Sequence, residues 1–134
     1  MRILCTQPRR VACINIATQV AKQLNSQIGQ LVGYHIGTDP CVSKQTRISF
    51  VTIGIFLNYL IHDPSKLVNY DCIILDEVHE RDLNLDFVLM ILKILLSRIG
   101  SLKIILMSAT METEKISSYF SPLEIFNSRI KCEK

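Results

Sequence analysis

Tyr70-Asp71-Cys72-Ile73-Ile74-Leu75-Asp76-Glu77-Val78-His79-Glu80-Arg81 decides how the rest of the chain is read. Cys72 to Leu75 is a short apolar run that stops at two adjacent carboxylates. Such a run, with no polar residue inside it, suits a strand covered on both faces of a parallel sheet. In sheets of that kind, ligands collect in the crevice beyond the carboxyl ends of the strands. Asp76 and Glu77 would stand at that edge, where paired carboxylates can hold Mg²⁺ on a triphosphate and position an attacking water. The plainer alternative is that they cap the following helix or lie solvated, as acidic residues after strands often do.

Working outward, strands alternate with helical stretches, which predicts an α/β domain with a mostly parallel sheet flanked by helices. Arg2 to Cys5 reads as a buried strand at the very start of the chain. Thr6-Gln7-Pro8-Arg9-Arg10 then turns into a helix reaching about Leu24, with Val11, Ile14, Ala17, Ala21 and Leu24 at three-and-four spacing. Thr6 is placed to cap it, and Pro8 suits its first turn. Leu31 to Ile36 is a short strand, and Thr38 to Thr46, with Pro40, is a polar loop. Arg47 to Thr52 is a strand, Ile55 to Ile61 a helix, and His62 to Ser65 a turn. Ten of the twelve residues from Leu85 to Leu96 are apolar, which predicts a helix buried on more than one side. Lys103 to Met107 is the next strand, closed by Ser108-Ala109-Thr110. A final helix is expected from Met111 to about Phe120, stopped by Pro122.

At 134 residues the length fits one domain, and a hydrophobic share of 49% is ample for a core. The net charge of +3 does not announce a nucleic-acid binder, so any basic footprint must be local. No apolar stretch is long enough to span a bilayer, and the first residues lack the pattern of a secretory signal. These features point to an intracellular protein. The five cysteines are scattered with no Cys-x-x-Cys pair, against both a disulfide framework and a zinc site. Cys5 and Cys72 fall in expected strands and read as small buried hydrophobes. A zinc site built on His79 with Asp76 or Glu80 lacks a second His at ligand spacing.

Three further turns carry groups suited to phosphate. Arg9 and Arg10 follow a strand at a helix start, where free N–H groups and two cations favour an anion; a solvated Arg pair is the bland alternative. Thr52-Ile53-Gly54 pairs a hydroxyl with a residue that lets backbone approach closely; Thr52 as a simple helix cap is the default. Ser108-Ala109-Thr110 gains weight only from ending the strand after the Asp-Glu strand.

Asp76-Glu77-Val78-His79-Glu80-Arg81, with these turns in this order, resembles the DEAH-box ATP-dependent RNA helicases of superfamily 2, with Val78 in the place of Ala. The resemblance covers roughly Arg2 to Phe120 and is to the first RecA-like domain, a P-loop NTPase fold, truncated here on its amino-terminal side. It implies ATP and Mg²⁺ as cofactors: Asp76 holding Mg²⁺ through water, and Glu77 orienting and polarising the water that attacks the γ-phosphate. It implies that Thr6 to Arg10 corresponds to motif Ia and Thr52 to Gly54 to motif Ib, gripping single-stranded RNA. Arg9 is then the strongest RNA contact, with Thr6, Arg10, Thr52 and Gly54 beside it. His79 would join the nucleotide site to Ser108 and Thr110 of motif III, and Arg81 would be structural. Within the family, Asp-Glu-Val-His-Glu-Arg-Asp followed by an Asp-Phe helix looks most like the Tudor-domain-containing, spindle-E-like branch. That likeness implies a cytoplasmic protein, with the nucleus as the alternative, acting in piRNA-guided silencing.

One required element is missing from these residues. A P-loop needs Gly-x-x-x-x-Gly-Lys-[Ser/Thr] to cradle phosphates, and Gly29 and Gly33 are one residue too close, with Tyr34-His35 following. The expectation is therefore a partial RecA-like domain over residues 1–121, a tail or start of a linker over 122–134, and a second RecA-like domain as a partner elsewhere in the parent protein. The isolated chain is expected to be catalytically incompetent and poorly stable. Two rival readings use the same residues: a non-catalytic RNA-binding remnant, and a DNA translocase of the same superfamily.

Overall fold

β1 (Ile3–Gln7) lies at the middle of the sheet although it starts three residues into the chain. The structure, a computed structural model, describes residues 1–80, 82–96, 102–109 and 118–120. Among them six strands form one sheet in the order β3-β2-β4-β1-β5-β6. β2 (Val32–Ile36), β4 (Ile48–Thr52), β1, β5 (Cys72–Leu75) and β6 (Lys103–Leu106) run parallel, and only β3 (Asp39–Cys41) is antiparallel. The α/β, mostly parallel architecture expected of a RecA-like domain is what the chain adopts.

Side chains alternate across the strands, and the two faces build two cores. One face sets Leu4, Val51, Ile73 and Leu75 against α2 (Ile53–His62) and α3 (Leu83–Leu96), with Phe56, Leu60, Val88 and Leu92 closing the layer. The other sets Cys5, Phe50, Val32 and Ile36 against α1 (Arg10–Gln23). β5 is an apolar run because it is covered from both sides: Cys72, Ile73 and Leu75 are all buried. Asp82 starts α3, its Oδ1 accepting the Leu85 N–H at 2.7 Å. α1 ends where Asn25 turns left-handed (φ 50°), with Ser26 N–H donating to Ala21 O and Asn25 N–H to Lys22 O.

Several local expectations are corrected. The seam of α1 is Cys13, Ala17 and Ala21, while Val11 and Leu24 are exposed; small residues let the helix lie close to the sheet. Thr6 does not cap that helix: β1 continues to Gln7, and the N-cap is Arg9, with no side-chain cap bond. The loop from Thr38 to Thr46 contains β3, and Pro40 is tolerated there because β3 is an edge strand. Gly33 is needed opposite it, since a Cβ would sit 2.3 Å from the Cys41 carbonyl oxygen. The expected turn after His62 extends into a 3-10 helix, Pro64–Asn69. α3 buries Leu85, Val88 and Leu92 but exposes Phe87, Met90 and Ile94, so among the described residues it packs mainly on one side. Residues 118–120 are helical; the rest of the expected final helix, Pro122 and the tail at 122–134 lie outside the described residues.

His35 and Tyr59 join β2 to α2 through a hydrogen bond between Nδ1 and the hydroxyl. Burial, and then the nearby Lys66, hold the His35 pKa below its ordinary value. The unfolded chain therefore takes up this proton first. Its contribution to stability is whole above the ordinary histidine value of about 6.5 and is lost as pH falls through the lower folded value. Urea melts are expected to show lower stability at pH 5 than at pH 7.5, with the difference narrowed in His35→Gln.

Candidate functional site

Parallel register brings the sequence-predicted turns together. Gln7 of β1 lies level with Thr52 of β4, and Thr6 with Leu75 of β5. The residues that follow, Pro8, Ile53 and Asp76, thus leave the sheet along one edge. Arg9, Thr52 and Asp76 share that rim, as the carboxyl-end geometry of open parallel sheets requires. Arg10 joins from the β2 side: a Cβ on Gly37 would lie 2.9 Å from its Nη2, so the guanidinium rests against that glycine. Thr52 is the N-cap of α2 by position but makes no side-chain cap bond. Gly54 faces open space, with nothing within 4 Å of where a Cβ would be.

Asp76 is held by two donors. Gln7 Nε2 donates to Oδ2 at 2.7 Å, and the Glu77 N–H donates to Oδ1 at 2.9 Å. Each oxygen keeps a second lone pair. Glu77 sits in the left-handed region at φ 56°, which for a residue with a side chain costs on the order of 1–2 kcal/mol. The turn is pinned nonetheless: Val78 N–H donates to Met107 O at 3.1 Å, and Glu80 N–H to Glu77 O at 3.0 Å. His79 Nδ1 lies 3.2 Å from Glu77 Oε2, as a hydrogen bond or, with the ring charged, an ion pair. Glu80 reaches back to the first turn, 3.4 Å from Arg9 Nη2.

Thr6 is not a surface hydroxyl. It is 1% exposed, lines a cleft with Gln7, Asp76 and Glu77, and its Oγ1 has no hydrogen-bond partner. The cleft is small, about 20 Å³, which is room for roughly one water. A buried hydroxyl without a partner beside a carboxylate with spare lone pairs suits one ordered water; a cation held through water by Asp76 would stand outside so small a space. Burial, and next the Asp76 carboxylate, push the Cys5 thiol up to about 12, which disfavours the thiolate there.

A larger cavity of about 340 Å³ opens elsewhere, near the amino ends of β1 and β4. Its cations are already engaged. Arg2 Nη2 donates to Lys44 O, and Lys66 lies 3.5 Å from Asp63 and over the Tyr59 ring. Ser108 follows β6, whose end is tied to the carboxylate turn by the Met107 backbone. Thr110 and Arg81 lie outside the described residues. Sequence reading passed over Gln7 and the pairing of Glu80 with Arg9. An amide at the end of a buried strand was the available signal, because a buried polar side chain needs a partner.

Fold and rim together define a mostly parallel α/β domain with acidic and basic turns on one sheet edge. The DEAD/DEAH box helicase family matches residues 1–118, and the chain belongs to that family. It is 47% identical over 118 residues to the "Probable ATP-dependent RNA helicase spindle-E" of Anopheles gambiae, covering 88% of this chain and 8% of that protein. It is also 47% identical over 119 residues to the human "Probable ATP-dependent RNA helicase DHX34", covering 89% and 10%. The "DExH-box ATP-dependent RNA helicase DExH1" of Arabidopsis thaliana is 45% identical over 118 residues, covering 88% and 12%. The chain thus spans about a tenth of the length of these curated relatives. No helix among the described residues is long and apolar enough to cross a membrane.

Gln7→Glu is expected to set two carboxylates against each other at a part-buried contact. One of them must then take a proton to remain there. Thermal melts of this variant should show a loss at pH 7.5 that shrinks as pH falls toward 5; an equal loss at both pH values would mean Gln7 does not support Asp76.

Proposed function

We propose that this chain forms part of an ATP-dependent RNA helicase in which one sheet edge couples ATP hydrolysis to a grip on single-stranded RNA. The observation that carries the reading is the common rim, with Asp76 bonded to Gln7 and Glu80 paired with Arg9 across the turns that follow β5 and β1. The relatives named as ATP-dependent RNA helicases support RNA over DNA as the strand gripped.

In this reading Asp76 positions Mg²⁺ through water, and Glu77 orients the water that attacks the γ-phosphate. The Mg²⁺ ion supplies charge neutralisation on the triphosphate when bound. Phosphoryl transfer needs positioning and electrostatic stabilisation more than covalent help, and the two bonds on Asp76 provide the first. His79 fixes the Glu77 carboxylate. Arg9 and Arg10 give charge to the RNA backbone, while Thr52 and Gly54 allow it to lie close to α2; Ser108 and Thr110 relay between the two. A second RecA-like domain of the same protein closes the nucleotide cleft. The protein works inside the cell, in cytoplasm or nucleus. The spindle-E and DHX34 identities are equal at 47%, so they give the germline-silencing branch no preference.

The test is RNA affinity by fluorescence anisotropy across a salt series. Arg9→Ala is expected to weaken binding to a single-stranded oligoribonucleotide and to lower the salt slope by about one. An unchanged slope, or tighter binding to the matching DNA, would count against the reading. Turnover of ATP by these 134 residues alone is expected at background, since no Gly-x-x-x-x-Gly-Lys-[Ser/Thr] stands among them; RNA-stimulated hydrolysis abolished by Glu77→Gln would overturn that. Gly54→Ala should raise stability by up to about 1 kcal/mol, because Ala replaces Gly inside a helix. It should also weaken RNA binding, because its methyl fills the space the backbone would enter. A gain in stability with no change in affinity would remove Gly54 from the RNA contact.

A further inference from the structure

Two side-chain bonds join the turn after β1 to the turn after β5, and they differ in kind. Gln7 to Asp76 is inside: Gln7 is 3% exposed and its amide meets a carboxylate at 2.7 Å. Arg9 to Glu80 is outside, at 3.4 Å, with side chains 78% and 39% exposed. Buried hydrogen bonds to charged groups hold, whereas exposed ion pairs are marginal and easily exchanged.

We infer that Glu80 is an internal substitute for an RNA phosphate at Arg9, displaced when single-stranded RNA arrives. The inference rests on the proposed role of Arg9. Carboxylate and phosphate both present oxygens to a guanidinium fork and compete for the same donors. A phosphate beside Arg9 would also face the negative charge of Glu80 at close range, so it favours Glu80 swinging away. Among the described residues, the ion pair of Arg9 is with Glu80.

The consequence reaches the carboxylate turn. Glu80 closes the single 3-10 turn Val78–Glu80, and its N–H is bonded to the carbonyl of Glu77. Glu77 already holds a left-handed backbone conformation that its surroundings must maintain. Moving the Glu80 side chain off Arg9 breaks neither that backbone bond nor the Gln7–Asp76 bond. RNA at Arg9 would thus move a carboxylate out of the cleft that Glu80 lines with Asp76 and Glu77, while the backbone of that turn stays in place. Residues 71 apart in sequence are linked by one replaceable contact.

The experiment is a double-mutant cycle on the 134-residue chain, with affinity for a fluorescent single-stranded oligoribonucleotide measured at several salt concentrations. Glu80→Gln is expected to tighten binding about 2- to 5-fold at low salt, the range an exposed pair supports. In the Arg9→Ala background the same change should have little effect. An equal gain in both backgrounds would show only a general charge effect and overturn the inference. No gain from Glu80→Gln, with Arg9→Ala still weakening RNA, would overturn it while leaving the Arg9 reading intact. No effect of Arg9→Ala at all would bring down that reading first. Both side chains are exposed, so the variants should keep the wild-type melt.

Discussion

Parallel pairing of β1 with β4 and β5 is the constraint on which the rest depends. Because the three strands run the same way and end at the same level, their turns emerge along one edge. Antiparallel pairing, or a register shifted by several residues, would send Arg9 and Asp76 to different parts of the surface. The hydrogen bond from Gln7 to Asp76 is possible only because Thr6 lies opposite Leu75, which puts the next residue on each strand side by side. Apolar cover on both faces keeps this arrangement rigid, with α2 and α3 on one side and α1 on the other.

The rim concentrates features that stability alone would not select. Thr6 has a buried hydroxyl without a partner, Gln7 is a buried amide, and Glu77 is held in a left-handed conformation. The unpartnered hydroxyl and the left-handed Glu77 lower stability, and such features gather where a chain positions groups for binding or chemistry. The core just beneath, from Leu4 to Leu75, shows none of them.

Local pattern revealed the strands whose sequence is apolar and bounded by sharp changes in polarity. Cys72 to Leu75 followed by Asp76 and Glu77 was readable for that reason, and so was the order of the turns carrying Arg9, Thr52 and Ser108. Where neighbours in space decide the outcome, local pattern failed. β3 was unreadable because Asp39-Pro40-Cys41 is an edge strand that exists only against β2. The seam of α1 keeps the expected Ala17 and Ala21 but takes Cys13 and leaves Val11 and Leu24 exposed, because the sheet surface, not helix periodicity alone, selects which side lies down. Ten apolar residues between Leu85 and Leu96 suggested burial on more than one side, yet only one side found a partner among the described residues.

The sequence by itself determined the family, the alternation of strands and helices, and the identity of the acidic, basic and hydroxyl-bearing turns. These are properties of short stretches, set by composition and periodicity over a few residues. Only the tertiary structure decided that Thr6 points into the core, that Gln7 supports Asp76, and that Glu80 occupies Arg9. Such pairings join residues about seventy positions apart, and nothing within either stretch can specify a partner that strand register alone brings near.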